Sequence, residues 1–287
     1  MPPRVATVCQ WGHLSTRRIP SFSVWNFRVL LLVPHHDGDG AEFQHRPQED
    51  AAPDKPIPRP MRVPDLSGKS ISPPGLPVAV AILLPATPIG EKFVLDAVSV
   101  EKCEATLRAG GLVVHPTDTV YGLAADPFQE VALVRLYAVK ERPRDLAVSI
   151  CVGEAPDLFR FGERTALAEA FCAKNLPGPY TVVLRATPEA PKGVIAKDGR
   201  IGLRLPAHPI PRLLAKRFGP ITSTSANRHG QPAPVTCEEA WLQLGDRVDV
   251  YVDGGPTPYG QESSVVDLTG PRAKVLRQGA VPMAGEA

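Results

Sequence analysis

The chain has 287 residues, with 32 Lys and Arg against 30 Asp and Glu, for a formal net charge of +2. That balance supplies no general pull toward nucleic acid or anionic lipid, although a local basic groove can sit inside a near-neutral total. Its 33 prolines are about twice the usual share and crowd the front third, which marks that third as a poor source of a packed core.

Residues 1–33 carry Arg4, Arg17, Arg18 and Arg28 and no acid, a composition shared by organelle transit segments and by translation upstream of a later start such as Met61. The expected location is the cytoplasm, with mitochondrial targeting by this segment left open. From Pro34 to Pro88 no helical or strand period lasts more than a few positions, so residues 1–90 are assigned to a proline-rich, disordered arm. Neither Val29–Val33 nor Val78–Leu84 approaches the roughly 20 apolar residues of a bilayer span. The five cysteines are scattered and contain no CxxC pair, which predicts reduced, buried thiols and no zinc site.

Beyond the arm, Phe93–Leu95 reads as a short strand and Ser99–Arg108 as a helix closed by Gly110 and Gly111. Gly111–Val114 is then a buried strand that Pro116 stops, because proline has no N–H for a ladder. The following loop to Asp126 crowds the hydroxyls of Thr117, Thr119 and Tyr121 beside Gly122, which suits a pocket wall. His115 at its start is a candidate base, though a strand-end histidine more often satisfies a local bond. Gln129–Val139 has helical spacing, with Val131, Val134, Leu136 and Tyr137 assigned to the sheet side. Pro143 ends it, and Lys140 and Arg142 there can face one anion.

Ala147–Val152 reads as a strand, Glu163–Lys174 as a helix, and Leu176–Thr181 as a rigid turn into the strand Val182–Leu184. Ile201–Pro206 is a strand carrying Arg204 between leucines, which must find an acid or a wet cleft. Ile210–Arg217 is a short helix. Pro220–Asn227 is a strand ending in a hydroxyl-rich turn, where Ser225 and Asn227 suit a phosphate or nucleotide. Thr236 with Glu239 starts a helix through a capping box. Asp249–Val252, Glu262–Thr269 and Val275–Gly279 complete a domain over residues 91–287 in which strands and helices alternate, the mark of an α/β fold with a mixed sheet.

No GxSxG elbow, Walker loop or GxGxxG fingerprint occurs, and no histidine pair has metal-ligand spacing. What is left is a set of hydroxyls, amides and cations able to hold anions and orient reactants without a covalent nucleophile.

Seven short motifs then occur in a fixed order: PTDTVYGL at 116–123, KERP at 140–143, LPGP at 176–179, GLRLP at 202–206, SAN at 225–227, DGG at 253–255 and SSVVD at 263–267. Together they resemble the YrdC/Sua5 family of L-threonylcarbamoyladenylate synthases, in its short form without a further C-terminal domain. The resemblance implies a single domain with a twisted, mixed parallel and antiparallel sheet flanked by helices around a large cationic cavity. It implies a nucleotidyltransferase that joins L-threonine, bicarbonate and ATP, with Mg2+, into threonylcarbamoyl-AMP and pyrophosphate. The product serves N6-threonylcarbamoylation of adenosine 37 in tRNA, so contact with tRNA is indirect, through a separate transferase.

By the same resemblance Lys140, Arg142, Ser225 and Asn227 form the catalytic tetrad. Thr117, Tyr121, Arg142 and Arg204 hold threonine, and Lys140, Thr224, Ser225, Asn227, Ser263 and Arg277 hold the nucleotide; no residue is assigned to a metal. Ser264 stands where the family commonly has threonine, and Gln278 where it often has proline. Two other functions of the same fold stay open at this point: binding of double-stranded or structured RNA, and carbamoyl transfer.

Overall fold

The computed structural model describes residues 81–89 and 92–282. Ten strands form one mixed sheet, and their order across it differs from their order along the chain. At one edge β1 (Ile82–Pro85) runs parallel to β10 (Val250–Asp253), which runs parallel to β4 (Val113–His115). Next come β5 (Gly122–Ala124), β9 (Ile221–Ser225) and β6 (Ser149–Cys151), each antiparallel to its neighbour. The far half holds β8 (Arg200–Arg204), β7 (Tyr180–Arg185), β11 (Ser264–Asp267) and β12 (Lys274–Arg277). A separate hairpin pairs β2 (Thr87–Ile89) with β3 (Lys92–Val94).

These strands correct the assignment of residues 1–90 to a disordered arm at its C-terminal end. Ile82–Pro85 is a strand whose partly buried and exposed positions alternate beside β10, and Thr87–Ile89 is a strand paired with β3. The rest of the arm lies outside the described residues.

Alternation along the short strands gives the sheet two cores. Val113, Ala124, Cys151, Ile221, Val250 and Val252 pack in one cluster with residues of α1 (Ala97–Arg108) and α5 (Pro209–Phe218). Their chain neighbours Val114, Leu123, Ile150 and Tyr251 belong to the other, beneath α2 (Glu130–Val139), α3 (Ala155–Phe161), α4 (Ala166–Asn175) and α6 (Cys237–Leu244). A period of two sends adjacent side chains to opposite faces, so the sheet is covered on both. The four cysteines within the described residues are all buried and free.

Capping side chains set several boundaries. Asp96 accepts from Ser99 N at 2.9 Å, so α1 begins at Ala97, two residues before the expected start. The Oγ1 of Thr236 accepts from Glu239 N at 3.2 Å, while the Glu239 carboxylate accepts from Val235 N at 2.7 Å. The reciprocal box therefore reaches one residue further back than the usual form. Thr236→Ala is expected to cost about 1 kcal/mol, read as a fall of roughly 2–4 °C in thermal midpoint for a domain of this size.

The helix α2 differs from expectation in its orientation. It buries Ala132, Leu133, Leu136, Tyr137 and Val139 and leaves Val131 and Val134 exposed. The buried face is 133, 136 and 137, and the next position on it is 140. Lys140 is thereby carried inward.

Candidate active site

A cavity of 340 Å³ opens over the central strands, within the size range of small-ligand sites. Strand register assembles its floor from segments far apart in the chain: Gly122 opposes Ser225, Ser149 opposes Ser223, Gly202 opposes Val183, and Arg204 opposes Thr181. All of these residues line the cavity. A Cβ on Gly202 would collide with the Ser149 hydroxyl, so glycine there lets two strands close up beneath the ligand space.

Four guanidinium groups, Arg142, Arg200, Arg204 and Arg277, stand on the lining. Among the described residues that line it, Glu262 is the one carboxylate. It receives Arg277 Nη1 at 2.9 Å, while Arg277 Nη2 donates to the Ser263 carbonyl at 2.9 Å. The Ser263 hydroxyl and Thr181 Oγ1 are 2.9 Å apart. Arg142 donates through Nη2 to the Ala147 carbonyl at 3.2 Å, which ties one edge of its guanidinium to the following loop while the side chain stays on the wall.

Glu141 connects this arginine to α2. It sits at φ 51° just after the helix, in the left-handed region that favours glycine. Arg142 N then donates to Tyr137 O and Glu141 N to Ala138 O, the two bonds of a Schellman ending. The chain reverses there, so Lys140 points into the protein and Arg142 into the cavity.

Lys140 is 2% exposed. Its ammonium donates to the Ser225 carbonyl, to the Asn227 carbonyl at 2.8 Å and to Asn227 Oδ1 at 3.3 Å. Ser225 Oγ donates to the same Oδ1 at 2.6 Å, and Asn227 Nδ2 donates to the Gln231 carbonyl at 2.6 Å. Burial, helped by repulsion from Arg142 and opposed by Glu262, pulls the Lys140 pKa down to about 7.

The structure brings Lys140, Arg142, Ser225 and Asn227 together but gives them different placements. Arg142 and Ser225 line the cavity; Lys140 and Asn227 lie behind its wall. The expectation that both cations face one anion is corrected, because the face of α2 that carries Lys140 is the buried one.

Thr117, Tyr121, Arg204, Thr224, Ser263 and Arg277 also line the cavity. Thr117 Oγ1 donates to Val120 O and accepts from Thr119 N at 3.0 Å, and Tyr121 Oη donates to Gly255 O at 2.7 Å. Their hydroxyls are thus engaged in shaping the loop. Arg204 Nη2 reaches Asp118 Oδ1 at 2.5 Å and Thr119 Oγ1 at 2.6 Å, so it is both ion-paired and on the cavity wall.

Residues 105–279 match the family model Sua5_yciO_yrdC, described as telomere recombination. The chain belongs to the Sua5/YciO/YrdC family. A Sua5/YciO/YrdC-family relative, the threonylcarbamoyl-AMP synthase of Vibrio cholerae serotype O1, is 35% identical over 177 residues, 60% of this chain and 93% of its own. The structure of P. abyssi Sua5 complexed with L-threonine superposes with a TM-score of 0.65 at 29% identity, covering 71% of this chain and 58% of that one. E. coli YciO superposes with a TM-score of 0.62 at 25% identity, covering 70% and 96%.

Several polar residues on the lining, Arg200, Thr181 and Glu262 among them, were not marked in the sequence reading of this Sua5/YciO/YrdC-family chain. Arg200 was legible, since 200, 202 and 204 share a strand face by alternation with Gly202 and Arg204. Thr181 and Glu262 were not, because Thr181 is placed by the pairing of β7 with β8 and β11, and Glu262 by its bond to Arg277 of β12.

Proposed function

We propose that this chain is an L-threonylcarbamoyladenylate synthase. The observation that carries the reading is one cavity lined by four guanidinium groups and many hydroxyls, with the buried Lys140–Ser225–Asn227 cluster behind its wall. The Vibrio cholerae relative bears that activity in its name, and the P. abyssi Sua5 structure holds L-threonine.

In this reaction the amine of threonine adds to the carbon of bicarbonate, water leaves, and a carbamate forms. A carbamate oxygen then attacks the α-phosphorus of ATP, and the bond to the β-phosphate oxygen breaks to release pyrophosphate. Carbamate and triphosphate repel each other, and fixed cations can offset that repulsion in a site with little water. Arg142 and Arg204 suit the threonine carboxylate; Thr224, Ser225, Ser263 and Arg277 suit the nucleotide. Lys140 holds, from behind the wall, the loop that presents Ser225.

Among the described residues no group of three or more His, Cys, Asp or Glu side chains could hold a metal. Glu262, the carboxylate on the cavity wall, is able to meet the magnesium ion of the ATP complex. Bound there, the ion would offset phosphate charge and ease departure of pyrophosphate. The threonylcarbamoyl-AMP so formed would feed adenosine 37 of tRNA through a separate transferase.

With L-threonine, bicarbonate, ATP and magnesium, the purified chain is expected to release pyrophosphate only when all are present. Release that continues at the same rate without threonine would remove this reading.

A further inference from the structure

We propose that His115 is a further substrate-binding residue, whose Nε2 accepts a hydrogen bond from the α-amino group of L-threonine. The inference rests on the synthase reading above and names a contact within that site.

His115 is the last residue of β4, pairs with Gly122 of β5, and lines the cavity while being 2% exposed. Its Nδ1 lies 3.1 Å from the Pro116 carbonyl. A carbonyl can only accept, so Nδ1 carries the hydrogen and Nε2 presents a lone pair. That Nε2 is buried and has no hydrogen-bond partner. A Cβ on Gly122 would lie 3.1 Å from it, so the missing side chain leaves the ring its place at the cavity floor.

The surroundings make this lone pair a rare resource. The cavity is rich in donors, from its four arginines; its carboxylate, Glu262, is paired with Arg277, and the Thr117 and Tyr121 hydroxyls are already committed within the loop. An amino acid brings a carboxylate, which the arginines can meet, and an amine, which needs an acceptor. A second buried atom without a partner, Arg204 Nε, is a donor near this acceptor. One acceptor and one donor, both unspent, match the two charged ends of an α-amino acid.

His115 stays neutral in this role. Burial first, then the neighbouring Arg204 charge, hold its pKa down at about 4 despite the Pro116 bond. The other titratable groups around it are His208, which burial holds at about 3, and Asp118, whose charge Arg204 pairs. So weak a base does not deprotonate an ammonium group. It binds and orients the amine whose free pair attacks bicarbonate.

The test compares His115→Asn, which retains a donor toward Pro116 O but removes the Nε2 position, with His115→Gln, which places an amide oxygen where Nε2 was. Titration calorimetry on the full chain is expected to show threonine binding weakened about 10- to 100-fold in H115N. H115Q should recover most of it, and ATP affinity should hold in both. L-2-Aminobutyrate, which keeps the amine and lacks the hydroxyl, should lose the same factor in H115N. A penalty that disappears with aminobutyrate would assign His115 to the hydroxyl and overturn the proposal.

Unchanged threonine affinity in H115N, with wild-type turnover intact, would overturn it and leave the synthase reading standing. Absence of threonine-dependent turnover in the wild type would end both. Should H115N not fold, 15N-imidazole resonances of the wild type decide. The His115 Nε2 signal should move on adding L-threonine and stay still with 3-hydroxybutyrate, which keeps the carboxylate and hydroxyl but has no donor at the amine position; equal movement with both would overturn the proposal.

Discussion

Lys140→Met should lower turnover by about 100- to 1,000-fold, the range seen when one preorganised electrostatic contact is removed from a catalytic site, and should also destabilise the fold. Both effects follow from burial. The ammonium reaches the Ser225 and Asn227 carbonyls and Asn227 Oδ1, and methionine fills the same volume while leaving these acceptors without their donor. A buried group stripped of its partner costs about 1–3 kcal/mol. The sequence alone placed Lys140 at a helix end, facing an anion beside Arg142; its buried position predicts loss of stability as well as activity.

The same residue gives stability a pH signature. In the unfolded chain the Lys140 pKa has its ordinary value of 10.5, and in the folded chain it is about 7. Between those values the unfolded state binds the proton and the folded state does not, so this group's contribution to stability rises with pH across that window. It is complete above 10.5 and lost as pH falls through 7. Denaturant unfolding of the wild type and K140M across pH 6–10 should show a stability difference that shifts in favour of the wild type as pH rises. A constant difference would mean that the ammonium does not titrate there.

Lys140 also illustrates which parts of the molecule the sequence carries openly. Capping chemistry is local, so Thr236 and Glu239 identified the start of α6. The Arg204 dilemma, an acid partner or a wet cleft, was correctly framed, and the fold satisfies both halves. The three-residue β5, Gly-Leu-Ala, has no period to detect and becomes a strand only between β4 and β9. The helix α3 is seven residues long and was passed over for the same reason. The inward turn of Lys140 depended on which face of α2 is apolar, and Val131 and Val134 drew that face the wrong way. Convergence of the tetrad was implied by family resemblance, whereas its division into wall and backing needed the register of β5 against β9.

Asp118→Ala is expected to produce the largest loss of stability, about 3–5 kcal/mol, the range for breaking a buried ion pair from one side. Asp118 is fully buried. One carboxylate oxygen receives Arg204 Nη2 at 2.5 Å and the other receives Ala207 N at 3.1 Å. Alanine would leave a guanidinium that is 6% exposed without its counter-charge, and a backbone N–H without an acceptor. For a domain of this size the thermal midpoint should fall by roughly 10 °C. The double variant D118A/R204L, which removes the stranded charge as well, should recover part of that loss, since contacting residues are not additive. Arg204 also faces the cavity, so a bound carboxylate can replace the missing one. L-Threonine should therefore raise the midpoint of D118A by more than it raises that of the wild type, and should lose this extra effect in D118A/R204L. Equal threonine shifts in D118A and the wild type would mean that the Asp118–Arg204 pair supports the loop without any link to the ligand space.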